Sequence, residues 1–419
     1  MDHTRKALVR PERAEGADIM GHPNADFGGA RMTGYGIGPV LEEFTGVTRI
    51  AVLRGGGMGD LMYAVPAVTA LKAAYPKATV TVLGTPIHAE LLAQVESPVD
   101  ETAILPFAEG IRPGPVIVEH LDGFIAAMRA RNFDLAIQLH GGGRYSNPFL
   151  LRLGARHTVG AGTPDAARLE RTVPYVYYQH EPLRALEVAG YAGAPPVDLE
   201  ARLRPRPEFE RQLAVSLAGD TRTVVVIHPG ATDPRRRWPV ERFAAVARRA
   251  ADDGFRVLVV GDQSERELAE TMVELAVGPV LAGADAARGS GSAGDAAPQV
   301  ASLAGKLSLG ELAGLLAGCS VVVANDSGPR QLAQALGTPT VGIFWAGNAI
   351  NAAPLGRSMH RIHLGWATHC AVCGIDITQV GWTAPRCRHD VSTVEAVEAD
   401  AVYEDVLQLT AMTPRPRGR

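Results

Sequence analysis

A loop of glycines ending in an aspartate follows the first apolar run of the chain, at residues 50–53. It reads Gly55-Gly-Gly-Met-Gly-Asp60. Glycines let a backbone approach a ligand closely, and the N–H groups that open the following helix can bind an anion. The loop departs from the G-x-G-x-x-G of dinucleotide-binding folds, because Asp60 stands where the third glycine belongs, which disfavours a nicotinamide oxidoreductase. A carboxylate there would repel a tightly bound pyrophosphate, so Asp60 is either a helix cap or a general base near an incoming hydroxyl.

A second turn of small polar residues follows a later apolar strand. The stretch Asn325-Asp-Ser-Gly-Pro-Arg-Gln331 ends that strand and opens a helix. The backbone N–H groups of Ser327 and Gly328 can bind phosphate there, while Asp326 can accept hydrogen bonds from ligand hydroxyls. An ordinary helix cap would use the same residue types.

Three consecutive arginines form the third motif, directly before a Trp-Pro helix start. They are Arg235, Arg236 and Arg237, within the stretch 228–239. Guanidinium groups bind phosphates through paired hydrogen bonds, so the run is a candidate clamp for a diphosphate. Of the 41 basic residues only four are lysine, and in a chain so rich in arginine a solvated basic run is the simpler interpretation on composition alone.

Three of the four cysteines fall close together near the C-terminus. A C-x₂-C pair followed by a further cysteine and a histidine is typical of a structural metal site, and both Zn and Fe suit such ligands. The candidate ligands are Cys370, Cys373, Cys387 and His389. Three free thiols in a loop are the alternative, and spacing does not distinguish His369 from His389 as the fourth ligand. Cys319 lies in an apolar helical pattern and is predicted to be a buried small residue.

The elements that must position these motifs alternate between short apolar strands and helices. Strands are predicted at 50–53, 79–83, 134–139, 223–227, 256–260, 321–324 and 340–344. Largely apolar strands that alternate with helices indicate parallel sheets covered on both faces. Ligands of such sheets bind at the carboxyl ends of the strands, where the three motifs stand. We therefore predict an α/β protein with two Rossmann-like domains that face a central cleft.

The predicted organisation has five parts, because the alternation is lost over a proline-rich stretch at 196–220. They are an extension without sustained periodicity (1–46), a Rossmann-like domain (47–205), a second one (221–365), a Cys/His segment (366–391) and a C-terminal helix (392–412). The stretch 282–297 is low in complexity and is predicted to be a surface insertion.

Composition excludes several classes of protein. With 419 residues, 46% hydrophobic and 21% charged, the chain has the balance of a globular protein of two or three domains. Its net charge of −4 argues against a general nucleic-acid binder. We expect no transmembrane segment, because no apolar run of about 18 residues occurs. Four cysteines are too few for a disulfide scaffold and fit a reducing cytoplasm.

Four stretches, at 50–74, 134–142, 225–243 and 303–344, occur in an order that resembles the heptosyltransferase family, glycosyltransferase family 9. The resemblance extends over about residues 48–410. It implies a GT-B fold, in which the N-terminal domain holds mainly the acceptor and the C-terminal domain mainly the nucleotide sugar. It also implies an inverting transfer, typically of heptose from ADP-heptose to an acceptor hydroxyl, without a catalytic metal.

The resemblance also implies roles for individual residues. Asp60 matches the general base of the family. Arg236 stands where lysine is usual beside the diphosphate, and Glu265 matches a carboxylate that contacts the ribose. The full set implied to bind the donor is Gly57, Met58, Gly59, Arg236, Glu265, Asp326, Ser327, Gly328 and Gln331.

The chain departs from the family at several positions near the donor. Gln331 stands where histidine is common, the turn 345–348 reads Trp-Ala-Gly-Asn instead of Gly-Pro-Thr-Asp, and a histidine common after the Gly-Asp turn is replaced, with Tyr63 nearby. These departures motivate an alternative function, a non-catalytic sugar-nucleotide-binding or assembly protein of the same fold.

The acceptor is the least specified partner. Lipopolysaccharide core is the common acceptor of the family, but the chain is slightly acidic and shows no basic amphipathic helix. The cysteine cluster resembles the metal-binding finger of autotransporter heptosyltransferases, which modify protein hydroxyls, and equally the cysteines scattered through other members. A glycan, a small natural product and a protein hydroxyl are the acceptors considered.

Overall fold

The computed structural model describes residues 34–216, 220–278, 298–378 and 386–412. Within these residues the chain forms two six-stranded parallel sheets and one two-stranded antiparallel pair. The two large sheets confirm the predicted α/β class. Residues 1–33 of the predicted extension and the predicted insertion at 282–297 lie outside the described residues.

The N-terminal sheet has the strand order β4-β2-β1-β5-β6-β7. Its strands, with the small antiparallel pair β3 and β8, are β1 (Arg49–Leu53), β2 (Thr79–Gly84), β3 (Val95–Glu96), β4 (Glu101–Ile104), β5 (Leu135–Gln138), β6 (His157–Gly162), β7 (Arg171–Pro174) and β8 (Arg204–Pro205). The helices of this half are α1 (Met58–Ala74), α2 (Pro86–Gln94), α3 (Val118–Ala130), α4 (Ser146–Leu151) and α5 (Glu181–Tyr191).

The C-terminal sheet repeats this arrangement with the order β11-β10-β9-β12-β13-β14. Its strands are β9 (Val224–His228), β10 (Arg256–Val259), β11 (Val300–Ser302), β12 (Val321–Asn325), β13 (Thr340–Trp345) and β14 (His360–Gly365). The remaining helices are α6 (Pro207–Ser216), α7 (Val240–Asp252), α8 (Arg266–Val277), α9 (Leu309–Gly318), α10 (Gly328–Ala335), α11 (Ala346–Ala352) and α12 (Ala399–Met412).

The central strands are apolar along their whole length because helices cover both faces of each sheet. Every residue of β9 and of β12 is buried. This explains why the sequence shows these strands as continuous apolar runs and not as an alternating pattern. The edge strand β4 is mostly exposed, and the apolar runs did not predict it.

Helix α1 lies between the two halves of the molecule and packs against both α5 and α10. Its residues Leu61, Val65 and Val68 are at most 1% exposed, and the helix continues through Pro66 although proline lacks the N–H of a regular helix position. Buried residues of both halves form one continuous core. The glycine loop at the start of α1 therefore belongs to a buried helix that packs against both halves of the protein.

Both described ends of the chain pack on the body of the protein. Ile37 and Phe44 are buried, and the Phe44 N–H donates to the Tyr75 hydroxyl at 3.0 Å, so the last part of the predicted extension belongs to the N-terminal half. The C-terminal helix begins at Ala399 and not at residue 392, because Thr393 instead donates its backbone N–H to the Arg235 carbonyl at 2.8 Å. Cys319 is buried as predicted, at the C-cap of α9.

Candidate functional site

A cavity of about 750 Å³ lies between the two halves and is lined by residues of both. The glycine loop enters from the N-terminal sheet, and the turn after β12 enters from the C-terminal sheet. The two turns touch: a Cβ atom added to Gly328 would lie 3.0 Å from the Cβ atom of Met58. Parallel strands of both sheets thus end at one common cavity, as expected for two Rossmann-like domains that face each other.

The Asp60 carboxylate lies at the N-terminal side of the cavity and is held by two donors. Arg54 donates from Nη2 to Oδ1 at 2.6 Å, and the Gly57 N–H donates to Oδ2 at 2.8 Å, which closes the start of α1. The Asp60 side chain remains 41% exposed, whereas that of Arg54 is only 7% exposed. Each carboxylate oxygen keeps a further lone pair for a ligand. Asp60 is therefore both a helix cap and an exposed acceptor of hydrogen bonds.

Arg54 connects Asp60 with a second carboxylate. Its Nη1 donates to Glu181 at 3.2 Å and to the Leu139 carbonyl, and Glu181 also pairs with Arg184. Burial alone would raise the pKa of Asp60, but the charge of Arg54 and the hydrogen bonds from Gly57 and Arg54 outweigh it, and the pKa is lowered. Asp60 is thus an ionised, weak base at neutral pH.

Two histidines, the buried His88 and the partly buried His140, contact the glycine loop on the side away from the cavity. His140 accepts the Gly55 N–H on Nδ1 at 3.2 Å and faces the Gly110 carbonyl with Nε2, while Nε2 of His88 lies 2.7 Å from the Gly57 carbonyl. Burial lowers the pKa of both imidazoles, which favours the neutral rings that this pattern requires. The loop that carries Asp60 is therefore fixed by neutral side chains from the first turn of α2 and from the loop after β5.

The turn after β12 presents a carboxylate surrounded by donors. Asp326 accepts from Asn348 at 2.8 Å, from Arg236 at 3.2 Å and from Gln331 at 3.4 Å. Gln331 also donates to the Tyr63 hydroxyl of α1 at 2.9 Å. Gln331, which stands where histidine is common in the family, thus forms a hydrogen bond with Tyr63 that joins the two halves at the cavity.

A second chain of polar contacts runs along the C-terminal side of the cavity. His228 at the end of β9 lies 3.0 Å from the Ser327 hydroxyl through Nδ1 and 3.1 Å from Glu265 through Nε2. Glu265 also accepts the Asp262 N–H at 3.0 Å. Burial would raise the pKa of Glu265, but His228 and the Asp262 N–H outweigh burial and lower it. Glu265 and Ser327 are therefore linked through one imidazole.

The three arginines of the basic run have different environments. Arg235 is paired with Asp233 at 2.6 Å, and Arg237 donates to the Ala231 carbonyl at 2.8 Å. Arg236 pairs with Asp326 at 3.2 Å, and its side chain is 30% exposed and lines the cavity. Of the three, Arg236 is the guanidinium that lies beside Asp326, at the turn that carries Ser327.

The predicted metal ligands come together. The sulfur atoms of Cys370, Cys373 and Cys387 and a ring nitrogen of His389 all lie within 4.8 Å of one another. The distance from Cys370 Sγ to His389 Nδ1 is 3.8 Å. Three thiols and one imidazole at this separation suit a tetrahedral metal ion. His369 is not part of the group: its Nδ1 faces the Thr368 hydroxyl, which decides the alternative left open by the spacing.

This Cys/His group is attached to the wall of the cavity. Ile377, which follows the C-x₂-C pair, lines the cavity and packs with Cys370 and Cys387 against Trp345. The Thr378 carbonyl accepts the Tyr178 hydroxyl from the N-terminal half. The segment therefore contacts both halves of the protein beside the cavity.

Several residues of the site were not singled out from the sequence. Arg54 was hidden by the high arginine content, although it immediately precedes the glycine loop. The others are polar residues at or near the ends of strands or in the first turns of helices: His88, His140, Glu181 and His228. In the sequence, the one feature that could have indicated these residues is their position near the end of a strand or the start of a helix. That feature does not show which side chains come into contact.

Comparisons with known proteins agree with the resemblance seen in the sequence. Residues 123–374 match the sequence model of glycosyltransferase family 9 (heptosyltransferase). Lipopolysaccharide heptosyltransferase 2 of Escherichia coli (strain K12) is 23% identical over 329 residues, which cover 75% of this chain and 88% of that protein. Lipopolysaccharide heptosyltransferase 1 of Pseudomonas aeruginosa is 32% identical over 151 residues, which cover 36% of each chain.

Solved structures share the fold. The E. coli ADP-heptose lipopolysaccharide heptosyltransferase II has a TM-score of 0.63 at 18% identity, covering 87% of this chain and 99% of that chain. A family 9 glycosyltransferase from Veillonella parvula has a TM-score of 0.65 at 18% identity, covering 87% and 98%. Among the described residues, no helix has the length and apolar character needed to cross a membrane.

Proposed function

The chain belongs to glycosyltransferase family 9, the heptosyltransferases, and on that premise we propose that it transfers heptose from ADP-heptose to an acceptor hydroxyl with inversion. The family and the GT-B fold predicted from the sequence are both confirmed. The donor sugar, the stereochemistry and the roles of individual residues are the proposed part. The N-terminal half would hold the acceptor and the C-terminal half the nucleotide.

The observation that carries the proposal is the position of Asp60 opposite Arg236 and the Ser327 turn across one cavity. Inversion is a single displacement: the acceptor oxygen bonds to the anomeric carbon as the bond from that carbon to the diphosphate oxygen breaks. Asp60 would take the proton of the attacking hydroxyl. A base with a lowered pKa suffices, because that proton becomes acidic only as the new bond forms.

The leaving diphosphate needs charge stabilisation on the other side. Arg236 would supply a guanidinium that can bind two phosphate oxygens, and the N–H groups at Ser327 and Gly328 point out of the start of α10. The glycine loop at Gly57, Met58 and Gly59 approaches the same turn. It would therefore lie against the phosphates on the N-terminal side of the cavity. Glu265 would accept hydrogen bonds from the ribose hydroxyls of the nucleotide. Asp326 and Gln331 would contact the sugar that is transferred.

Donor binding and turnover can be tested separately. Calorimetric titration with ADP, UDP, GDP and CDP should give the tightest binding for ADP, and ADP-heptose should release ADP when an acceptor is added. Proton NMR of the product would report whether the anomeric configuration is inverted. Retention of configuration would refute the single displacement, and preference for another nucleotide would refute the donor.

A non-catalytic sugar-nucleotide-binding protein is the second candidate. It is favoured by Gln331 and Asn348, which differ from the residues common in the family. Both side chains donate a hydrogen bond to the Asp326 carboxylate. This alternative predicts ADP-heptose binding by calorimetry together with no ADP release across glycan, small-molecule and protein acceptors.

We also propose that the Cys/His group holds a structural Zn or Fe ion through Cys370, Cys373, Cys387 and His389. Bound there, the ion would cross-link the two ends of the segment that carries Ile377 to the cavity wall, and it would take no part in sugar transfer. Elemental analysis should find about one ion per chain, and Cys373→Ser should lower both metal content and melting temperature. Unchanged stability after metal removal by a chelator would contradict the structural role.

A further inference from the structure

We infer that the acceptor carries no net negative charge, and that a hydroxyl compound bearing an amine is used better than its phosphorylated analogue. This inference rests on the proposed function and specifies the acceptor class of the same cavity. It separates this chain from an enzyme whose acceptor is an anionic glycolipid.

The first argument is that Arg54, the arginine on the acceptor side of the cavity, is already paired with two carboxylates. In the N-terminal half of the cavity the charged lining residues are Arg54, Asp60 and Glu181. Arg54 is buried and donates to both carboxylates, at 2.6 and 3.2 Å, whereas Asp60 is far more exposed than the guanidinium that it pairs with. An incoming acceptor therefore meets carboxylate oxygens, and the positive charge behind them is already neutralised.

The second argument is the charge of the whole cavity. Its described lining contains three arginines, at 54, 235 and 236, and six carboxylates, at 60, 181, 233, 262, 265 and 326, besides His228. Arg235 is paired with Asp233 and Arg236 with Asp326, and in the proposed function Arg236 is the cation that meets the diphosphate of the donor. Bound donor would add about two further negative charges. Like charges brought together in a cleft repel, so a phosphate group on the acceptor has no complementary charge to meet.

The loops around the acceptor side do not supply the missing cations. Arg112 donates to the Leu105 carbonyl at 2.8 Å and stacks on Phe107, 4.3 Å from the ring centroid. Arg144 lies 3.9 Å from Asp165. The described loops that follow β4, β5 and β6 contain Arg112, Arg144 and Arg168 together with Glu109, Asp165 and Glu170, so positive and negative side chains balance. A polyanion would find no basic surface there.

A matched series of sugars tests the inference. ADP binding is measured first by calorimetry, and ADP release from ADP-heptose is then followed with glucosamine, glucose and glucose 6-phosphate at 20 mM and 500 mM NaCl. We expect kcat/KM to fall in that order, with glucosamine at least tenfold above glucose 6-phosphate at low salt. The difference should shrink at high salt, because the screening length falls from roughly 20 Å to roughly 4 Å.

A charge placed in the wall provides the matched control. Ile87→Lys adds a cation to the N-terminal side of the cavity, and Ile87→Gln adds polarity without charge. The lysine variant should raise kcat/KM for glucose 6-phosphate relative to glucose by about fivefold or more, and the glutamine variant should leave that ratio within twofold.

The outcomes separate this inference from the function on which it rests. Failure to bind ADP would contradict the proposed function itself. Normal ADP binding with glucose 6-phosphate as the best acceptor, or with no sugar of the series raising ADP release, would overturn the acceptor class and leave the donor assignment standing. A ranking that does not respond to salt or to Ile87→Lys would also overturn it, because electrostatics would then not be the cause.

Discussion

Replacement of Asp60 by asparagine is the sharpest test of the proposed base. Asparagine keeps the shape of the side chain but cannot take a proton. Its one carbonyl oxygen can accept from either Arg54 or Gly57, whereas Asp60 accepts from each on a separate oxygen. General base catalysis contributes about 10²–10⁴-fold, so kcat should fall by that factor, which corresponds to about 3–5 kcal/mol of transition-state stabilisation. The dissociation constant for ADP should stay within about threefold, because the nucleotide would be held by the opposite half of the cavity.

The substitution also removes a charge partner from a buried guanidinium, and that effect must be separated from catalysis. Arg54 keeps Glu181 and the Leu139 carbonyl, and Asp60 is partly exposed, so we expect a stability loss of only about 1–2 kcal/mol. Glu181→Gln is the matched control, because it removes the other carboxylate from the same guanidinium. It should lower the melting temperature by a similar amount and reduce kcat by less than about tenfold.

The two variants are compared by steady-state release of ADP, calorimetry with ADP and thermal unfolding. Equal losses of kcat in both would show that freeing Arg54, and not loss of the base, causes the defect. A parallel loss of ADP affinity in Asp60→Asn would place the carboxylate at the donor. The wild-type rate should also stay flat as pH falls to the ordinary carboxyl range, because the pKa of Asp60 is lowered and the base loses its charge only below that range.

Three further predictions follow from contacts elsewhere in the molecule. Tyr63→Phe and Gln331→Leu should each weaken ADP-heptose binding, and the double variant should lose less than the sum, since both remove one hydrogen bond between the halves; additive losses in calorimetry would contradict this. Gly56→Ala should abolish transfer with little change in secondary structure by circular dichroism, because φ is +94° there and a Cβ atom would collide with the Asp60 carboxylate; activity near wild type would refute it. Burial lowers the pKa of His360 to about 4, so the unfolded chain binds its proton from about pH 6.5 downward and the folded chain does not. Stability in urea should therefore fall by up to about 3 kcal/mol between pH 6.5 and 4, and the fall should be smaller in His360→Asn; an equal fall in both would assign it to other groups.

The sequence alone determined the architecture and the places where chemistry is possible. Continuous apolar runs such as 321–324 predict buried parallel strands, because only strands covered on both faces are apolar throughout. Turn residues at the ends of these strands indicated the glycine loop and the Asp326 turn, and the spacing of the cysteines indicated the Cys/His group. The resemblance to the family added roles for single residues, since the order of the motifs along the chain is visible without coordinates. Edge strands such as β4, which lack a continuous apolar run, were not found.

Only the tertiary structure decided which of these residues meet and in what state. Arg54 and Glu181 are 127 positions apart, and Tyr63 and Gln331 are 268 apart, so no local pattern relates them. The structure also gave the three arginines of the run different partners, Asp233 for Arg235, Asp326 for Arg236 and the Ala231 carbonyl for Arg237. It placed His389, and not His369, next to the three cysteines. Periodicity and turn chemistry act between near neighbours in the chain, whereas hydrogen bonds, burial and the resulting pKa shifts depend on side chains that only the packing of distant segments brings together.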